Sequence, residues 1–134
     1  MSSRLSRSGS RLPFGLAAAA LLLFVGAAVT LAEQSRRDFD VVSRRYAFDV
    51  AGSDSAEIRV MQNDLVHINF STQDIPHSFT IEDAPYRIMK RAEPGKPVSF
   101  DFRADQPGRF RFFCSLTADE RCKEMNGTLI VTAR

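Results

Sequence analysis

The sequence predicts an all-β domain, a Greek-key β-sandwich or barrel, preceded by an N-terminal signal or anchor helix. Short runs of alternating apolar and polar residues recur from Tyr46 onward. Turn-forming pairs such as Pro94-Gly95 and Pro107-Gly108 separate these runs. Eleven Phe residues and no Trp favour a β-rich, Phe-packed core. The length of 134 residues suits one domain of this kind.

Residues 1–32 have the pattern of a targeting segment. Arg4, Arg7 and Arg11 precede an apolar run over residues 14–32, which ends on the small-residue pattern that signal cleavage requires. The same run is 19 residues long, near the length of a membrane span, so an uncleaved anchor is the alternative. Both interpretations place the rest of the chain outside the inner membrane, in a periplasmic or other extracytoplasmic compartment.

The charge balance argues against a nucleic-acid partner. Because the leader holds three of the 18 basic residues, the rest of the chain carries 15 basic and 16 acidic side chains. The basic pI therefore reflects the leader and not a basic binding surface. Residues 33–45 are polar and charged, and we interpret them as a linker that leads into a domain over residues 46–134.

Eight strands are expected after this linker, and one short helical turn is compatible with residues 118–124. Val66, Ile68 and Phe70 alternate with polar residues, a pattern that buries one face of a strand and exposes the other. So many short strands in about 90 residues indicate an antiparallel sandwich with Greek-key connections. The predicted strands are Arg45–Val50, Ala56–Met61, Leu65–Ser71, His77–Glu82, Tyr86–Lys90, Val98–Arg103, Arg109–Cys114 and Thr128–Thr132.

The stretch CSLTADERCKEMNG places Cys114, Cys122 and Met125 at offsets 0, 8 and 11 between the last two predicted strands. His77 lies 37 residues before the first of them, at the start of a strand. Imidazole, thiolate and thioether together form a ligand set that selects copper. A disulfide between the two cysteines is the alternative in an exported chain. His67 lies mid-strand on the polar face, and we expect it to have a structural role.

Three stretches resemble the cupredoxin family: DIPHSF, ADQPGRFRFFCS and MNGTLIV. Within that family they are most similar to the copper domain of cytochrome c oxidase subunit II and of nitrous oxide reductase. The resemblance spans residues 46–134 and implies a Greek-key fold with copper at one end. It also implies that His77, Cys114, Cys122 and Met125 are metal ligands.

One departure from the family pattern bears on the metal. The dinuclear domains of this family have Cys, Cys, His and Met at offsets 0, 4, 8 and 11. Here Ala118 occupies offset 4 and Cys122 occupies offset 8, so one bridging thiolate and the loop histidine are missing. The expected cofactor is therefore a single copper ion cycling between Cu(I) and Cu(II), with zinc a weaker alternative because Met is not among its usual ligands.

Three functions are compatible with these residues. The leading hypothesis is a mononuclear electron carrier that serves a redox partner protein. The second is a Cu(I) carrier that hands copper to a receiving protein, and the third is a metal-free interaction module with a disulfide. The sequence does not indicate an enzyme. The charged residues of the loop, Asp119, Glu120, Arg121 and Lys123, form a solvated rim that could guide a redox partner.

Overall fold

The computed structural model describes residues 34–134 and the single residue Gly9. The predicted signal or anchor segment therefore lies outside the described residues, apart from Gly9. Within the described part of the chain, no helix has the length and apolar character needed to cross a membrane. That part contains nine strands and one 3-10 helix, in the order β1 Arg36–Arg44, β2 Ala47–Val50, β3 Glu57–Met61, β4 Leu65–Thr72, β5 His77–Ile81, β6 Ile88–Ala92, β7 Val98–Arg103, β8 Gly108–Phe113, η1 Cys122–Glu124 and β9 Asn126–Thr132.

The strands form two sheets, with the order β2-β1-β4-β7 in the first and β3-β9-β8-β5-β6 in the second. The predicted all-β class is confirmed, but the expectation of purely antiparallel pairing is wrong. Strands β1 and β4 pair in parallel, as do β3 and β9. The chain leaves the first sheet after β2 and returns as β4. Strands β1 and β4 are therefore joined by a crossover through the second sheet and not by a hairpin, and a crossover connection is what parallel pairing needs.

The segment predicted as a linker, residues 33–45, is mostly strand β1, and this prediction is wrong. Val41 and Ser43 are buried, whereas Asp38 and Asp40 on the opposite face are exposed. A strand with one wet face tolerates this many charges because every second side chain points to solvent. The polar character of the segment therefore reflects one exposed face.

The other predicted strands are observed, each within two residues of its expected ends. Strand β6 is shifted as a whole, by two residues from the predicted Tyr86–Lys90, so Tyr86 precedes it. Tyr86 instead packs against Phe102 and Phe110, with ring centroids 5.5 and 4.8 Å apart, and its hydroxyl donates to the Gln106 carbonyl. The short helical turn expected in residues 118–124 is present as η1, over the last three of those residues.

Phenylalanine rings from both sheets fill the core between them. Phe48 and Phe70 come from the first sheet, and Phe79 and Phe112 from the second. The Phe79 and Phe112 rings stack at 4.7 Å between centroids, and Phe48 meets Phe112 edge-on at 5.3 Å. Burial of each ring contributes about 1.5–3 kcal/mol to folding. Phe79 thus ties β5 into this cluster, and every residue of β5 is buried.

Candidate metal centre

His77 is the first residue of β5, and its side chain is fully buried. Its Nε2 atom lies 2.9 Å from Asp74 Oδ1. Its Nδ1 atom lies 3.8 Å from Cys114 Sγ and 3.4 Å from Cys122 Sγ. An imidazole that donates its Nε2 proton to a carboxylate keeps a lone pair on Nδ1. The ring nitrogen that faces the two sulfur atoms is therefore the one available to a metal.

Asp74 holds this orientation through three hydrogen bonds. The backbone N–H of Arg45 donates to Oδ2 at 2.6 Å, and that of Ile75 donates to Oδ1 at 2.7 Å. His77 donates to the same Oδ1 atom. Removal from water would raise the pKa of the Asp74 carboxyl, but the two backbone groups and His77 outweigh it and lower that pKa. The carboxylate therefore stays charged and fixes the imidazole.

Cys114 follows β8 directly and is fastened to β5 by polar contacts. The Ser78 N–H lies 3.4 Å from Cys114 Sγ. The hydroxyls of Ser78, Thr80 and Ser115 lie 2.8–3.1 Å from one another, and the Ser115 N–H donates to Ser78 Oγ at 2.8 Å. We call these three residues the hydroxyl cluster. Strands β5 and β8 pair at a single position, Thr80 beside Phe113, and the hydroxyl cluster and the sulfur contact add polar links between them.

Cys122 opens the 3-10 helix, and its N–H donates to the Asp119 carbonyl at 3.1 Å. The side chain is 1% exposed, and neither cysteine is in a disulfide. Burial, followed by hydrogen bonding and charge repulsion from Cys114, raises the pKa of the Cys122 thiol to about 12. Cys122 is therefore a neutral thiol near pH 7 until a metal displaces its proton.

Met125 ends the helix that Cys122 begins. Its N–H donates to the Cys122 carbonyl at 3.0 Å, and its side chain is 1% exposed. The structure thus buries Met125 one helical turn from a candidate ligand. Its assignment as the fourth ligand stays a prediction.

The three donor atoms from His77, Cys114 and Cys122 fit one metal ion. All three lie within 4.8 Å of one another. Ligand atoms that sit about 2.0–2.3 Å from a common ion are roughly 3.5 Å apart in tetrahedral geometry, close to the two nitrogen-to-sulfur distances. Two thiols and one imidazole form a soft donor set that suits copper in its reduced state. In the described part of the chain, no other group of three His, Cys, Asp or Glu side chains converges in this way.

Two other residues bear on the kind of centre. His67 lies on the outer face of the first sheet, with Nδ1 2.7 Å from Asp101 Oδ1 and Nε2 3.0 Å from Asn69 Oδ1. Its ring nitrogens are occupied there, as the structural role predicted for it requires. Ala118 is exposed and lines a cleft beside Cys122, where a methyl group offers no ligand atom. Neither residue adds a ligand atom to the group formed by His77, Cys114 and Cys122.

An open cleft of about 630 Å³ leads from the surface to the Cys122 side of the centre. Residues 75–76 form one wall and residues 116–120 form the other. Arg45 and Arg91 also line it. The cleft thus lies between the two chain segments that carry His77 and Cys122.

Several residues of the site were not predicted. Asp74 stands three residues before His77, and a carboxylate at that spacing before a Pro-fixed histidine could have suggested an orienting partner. Arg45 and Tyr46 reach the site from the turn between β1 and β2, and Tyr46 donates a hydrogen bond to Asp119 across 73 residues of sequence. No local sequence pattern reports a contact of that separation.

A sandwich of this topology with a buried imidazole and two thiols at the end of a sheet is of the kind that metal-binding β-domains use. A family model described as the cupredoxin-like domain matches residues 16–131. The chain belongs to the cupredoxin-like domain family, which confirms the resemblance inferred from the sequence. No curated protein matches the chain in sequence.

Solved structures share the fold at low sequence identity. The periplasmic domain of cytochrome oxidase subunit II (CoxB) of Bradyrhizobium japonicum is 16% identical, with a TM-score of 0.61 over 72% of this chain and 83% of that one. A CoxB domain in a mixed disulfide with the thioredoxin-like TlpAs is 18% identical, with a TM-score of 0.60 over 72% and 81%. The blue copper protein auracyanin A of Chloroflexus aurantiacus is 15% identical, with a TM-score of 0.56 over 73% and 100%.

Proposed function

We propose that this protein binds a single copper ion and transfers single electrons. His77, Cys114 and Cys122 are the principal ligands in this proposal, and Met125 is the weaker fourth ligand. The observation that carries it is the buried approach of His77 Nδ1 to both sulfur atoms while Asp74 holds the opposite ring nitrogen. A lone histidine or a lone cysteine pair would not justify it, whereas their convergence with a matched orienting carboxylate does.

Copper would supply a couple between Cu(I) and Cu(II) at this site. The residues of the chain prepare the site for it. Asp74 fixes the imidazole, and the Ser78 N–H lies where it can donate to the Cys114 sulfur. A donor to a thiolate stabilises its negative charge, and the dry surroundings keep water from the ligand atoms. A site held this firmly changes little in geometry when the metal changes charge, as fast electron transfer requires.

The same proposal includes an extracytoplasmic location and a redox partner protein. It is supported by the apolar leader that follows three arginines and by the periplasmic location stated for the similar CoxB domain. In this proposal the chain is a carrier and not an enzyme. The exposed charges at Glu120 and Lys123, which flank the centre, are available to orient a partner.

Delivery of Cu(I) is the second candidate function, and the cleft favours it. A carrier must expose its metal to a receiving protein, and the cleft reaches Cys122 from the surface. Two thiols also bind Cu(I) well. That a CoxB domain can form a mixed disulfide with TlpAs suggests a similar thiol-bearing partner for this chain. A delivery protein should pass its metal on readily, whereas an electron carrier should keep it through repeated oxidation and reduction.

The test is to load the reduced protein with Cu(II) and to record its visible absorption and electron paramagnetic resonance spectra. An intense thiolate-to-copper band and a signal from one copper are the expected result. Both should disappear in Cys114→Ser and change strongly in Cys122→Ser. His77→Gln should weaken binding, and the matched control His67→Gln should not, because the ring of His67 contacts Asp101 and Asn69 instead.

Other outcomes separate the alternatives. A colourless protein that retains one Cu(I) and releases it to a chelator or a partner would favour delivery over electron transfer. A protein that binds no copper and whose mass is lower by two hydrogens would contradict both and would indicate the disulfide-bonded interaction module. Equal effects of His77→Gln and His67→Gln on copper binding would show that His77 is not a metal ligand.

A further inference from the structure

Tyr46 contacts the segment that leads into Cys122. Its hydroxyl donates to Asp119 Oδ2 at 3.1 Å. The Arg121 guanidinium carbon lies 4.2 Å from the centroid of its ring. Tyr46 therefore contacts Asp119 and Arg121, which lie three residues and one residue before the candidate ligand Cys122. It is not itself a ligand. It lies in the turn between β1 and β2 of the first sheet, whereas Cys122 lies between β8 and β9 of the second.

The residue before Tyr46 fastens the opposite side of the centre. The Arg45 N–H donates to Asp74 Oδ2, and Asp74 in turn holds His77. One turn between β1 and β2 thus contacts both ligand-bearing segments. The cleft lies between those segments, so the turn spans them beside this opening.

Leu116 packs the start of the Cys122 segment against the hydrophobic core, and few polar contacts attach the rest of the segment. Within the described residues, Tyr46 to Asp119 is the one side-chain hydrogen bond between residues 116–121 and a different element of the fold. The backbone N–H of Arg121 donates to Asp119 Oδ1, and its side chain donates to Glu124, so both of these bonds stay within the segment and its helix. Movement of residues 116–121 away from Tyr46 would widen the cleft toward Cys122, a residue that is 1% exposed.

We propose that Tyr46 is a positioning residue that latches the Cys122 segment closed, and that release of this latch is the step that lets a metal enter or leave through the cleft. The proposal rests on the metal-binding function proposed above. One hydrogen bond and one cation–π contact at a partly exposed site together favour the closed form by about 5- to 30-fold. Loss of the latch should accelerate metal exchange by a similar factor while leaving all three principal ligands in place.

Two measurements on the full chain test this proposal. The first follows alkylation of Cys122 by iodoacetamide in the reduced, metal-free protein, with mass spectrometry assigning the modified residue. The second follows transfer of Cu(I) from the loaded protein to bathocuproine disulfonate. Tyr46→Phe removes the hydroxyl alone, and Tyr46→Ala removes the ring as well. The matched control is Tyr86→Phe, whose hydroxyl bonds the Gln106 backbone and does not line the cleft.

Both rates should rise about 2- to 5-fold in Tyr46→Phe and about 5- to 30-fold in Tyr46→Ala, and neither should change in Tyr86→Phe. The loss of global unfolding free energy in Tyr46→Phe, measured in urea, should be too small to explain the faster rates by global unfolding. Wild-type rates in both Tyr46 variants would overturn the latch, as would equal acceleration in Tyr86→Phe. If the wild-type protein binds no copper, the proposed function fails, but the alkylation rates still decide whether Tyr46 holds the segment.

Discussion

The Asp74 carboxylate offers the sharpest test of how the site is built. We predict that Asp74→Asn weakens Cu(I) binding about 10- to 100-fold without removing a ligand atom. Asp74 accepts hydrogen bonds from His77 Nε2 and from two backbone N–H groups, those of Arg45 and Ile75. An asparagine side chain has the same shape but only one oxygen. Its amide nitrogen cannot accept a hydrogen bond.

The magnitude follows from which bonds survive. With its oxygen at the Oδ1 position, asparagine keeps the bonds from His77 and Ile75 but turns an NH2 group toward the Arg45 N–H. In the flipped orientation it keeps the Arg45 bond and loses the other two. Either choice sets two donors against each other, and neither supplies the negative charge that makes the imidazole a stronger ligand. A 10- to 100-fold loss corresponds to about 1.4–2.7 kcal/mol of binding free energy.

The assay is competition for Cu(I) with a chelator of known affinity, with the loaded fraction measured over a titration. Asp101→Asn is the matched control because Asp101 contacts the other histidine, His67, at 2.7 Å. It removes the same kind of carboxylate from the same kind of ring, on the outer face of the first sheet. Unchanged affinity in Asp74→Asn would refute the reasoning, and an equal loss in Asp101→Asn would show that the effect is not local.

Three further predictions concern stability and are read from urea unfolding of the metal-free protein. Gly127→Ala should cost about 3 kcal/mol because a Cβ would overlap the buried Phe112 ring; a loss below 1 kcal/mol would contradict this. Arg134→Ala should cost about 2 kcal/mol by removing its 2.6 Å ion pair with buried Asp64, and no change would show that the pair is dispensable. Because the Cys122 pKa is about 12 when folded and about 9 ordinarily, the stability that its neutral thiol contributes should be present below pH 9 and be lost as the pH rises above 9, so stability should fall less steeply there in Cys122→Ser.

The sequence was sufficient for most of the strands because their signals are local. Alternation in stretches such as 65–71 requires only that one face of the strand be buried, and turn residues mark the ends. Strand β1 was missed because Arg36, Arg37 and Asp38 give its first half the composition of a linker. What makes it a strand is its parallel pairing with β4, from Arg36 beside Leu65 onward. That pairing involves residues far apart in the chain and leaves no periodic signal in either one.

The candidate ligands were predicted from spacing, and the structure brings three of them together. Cys114 and Cys122 lie on one loop, and His77 starts a buried strand, so residue type and position were informative. The supporting contacts were not predictable in the same way. Asp74 meets Arg45 across 29 residues and Ser78 meets Ser115 across 37. Serine, aspartate and arginine are common on strand ends and loops, so only the fold distinguishes these from solvated side chains.

The protonation of Cys122 links the site to its two candidate functions. In the metal-free protein its thiol is neutral near pH 7, because burial raises its pKa to about 12. A metal that binds this sulfur as a thiolate must therefore displace at least one proton, and metal release must take one up. Affinity should then weaken as pH falls, by up to tenfold per unit for each proton exchanged. Copper delivery would benefit from this coupling, since a group on the receiving protein that protonates Cys122 assists metal release. An electron carrier must instead bind its metal tightly enough that protonation of Cys122 does not release it.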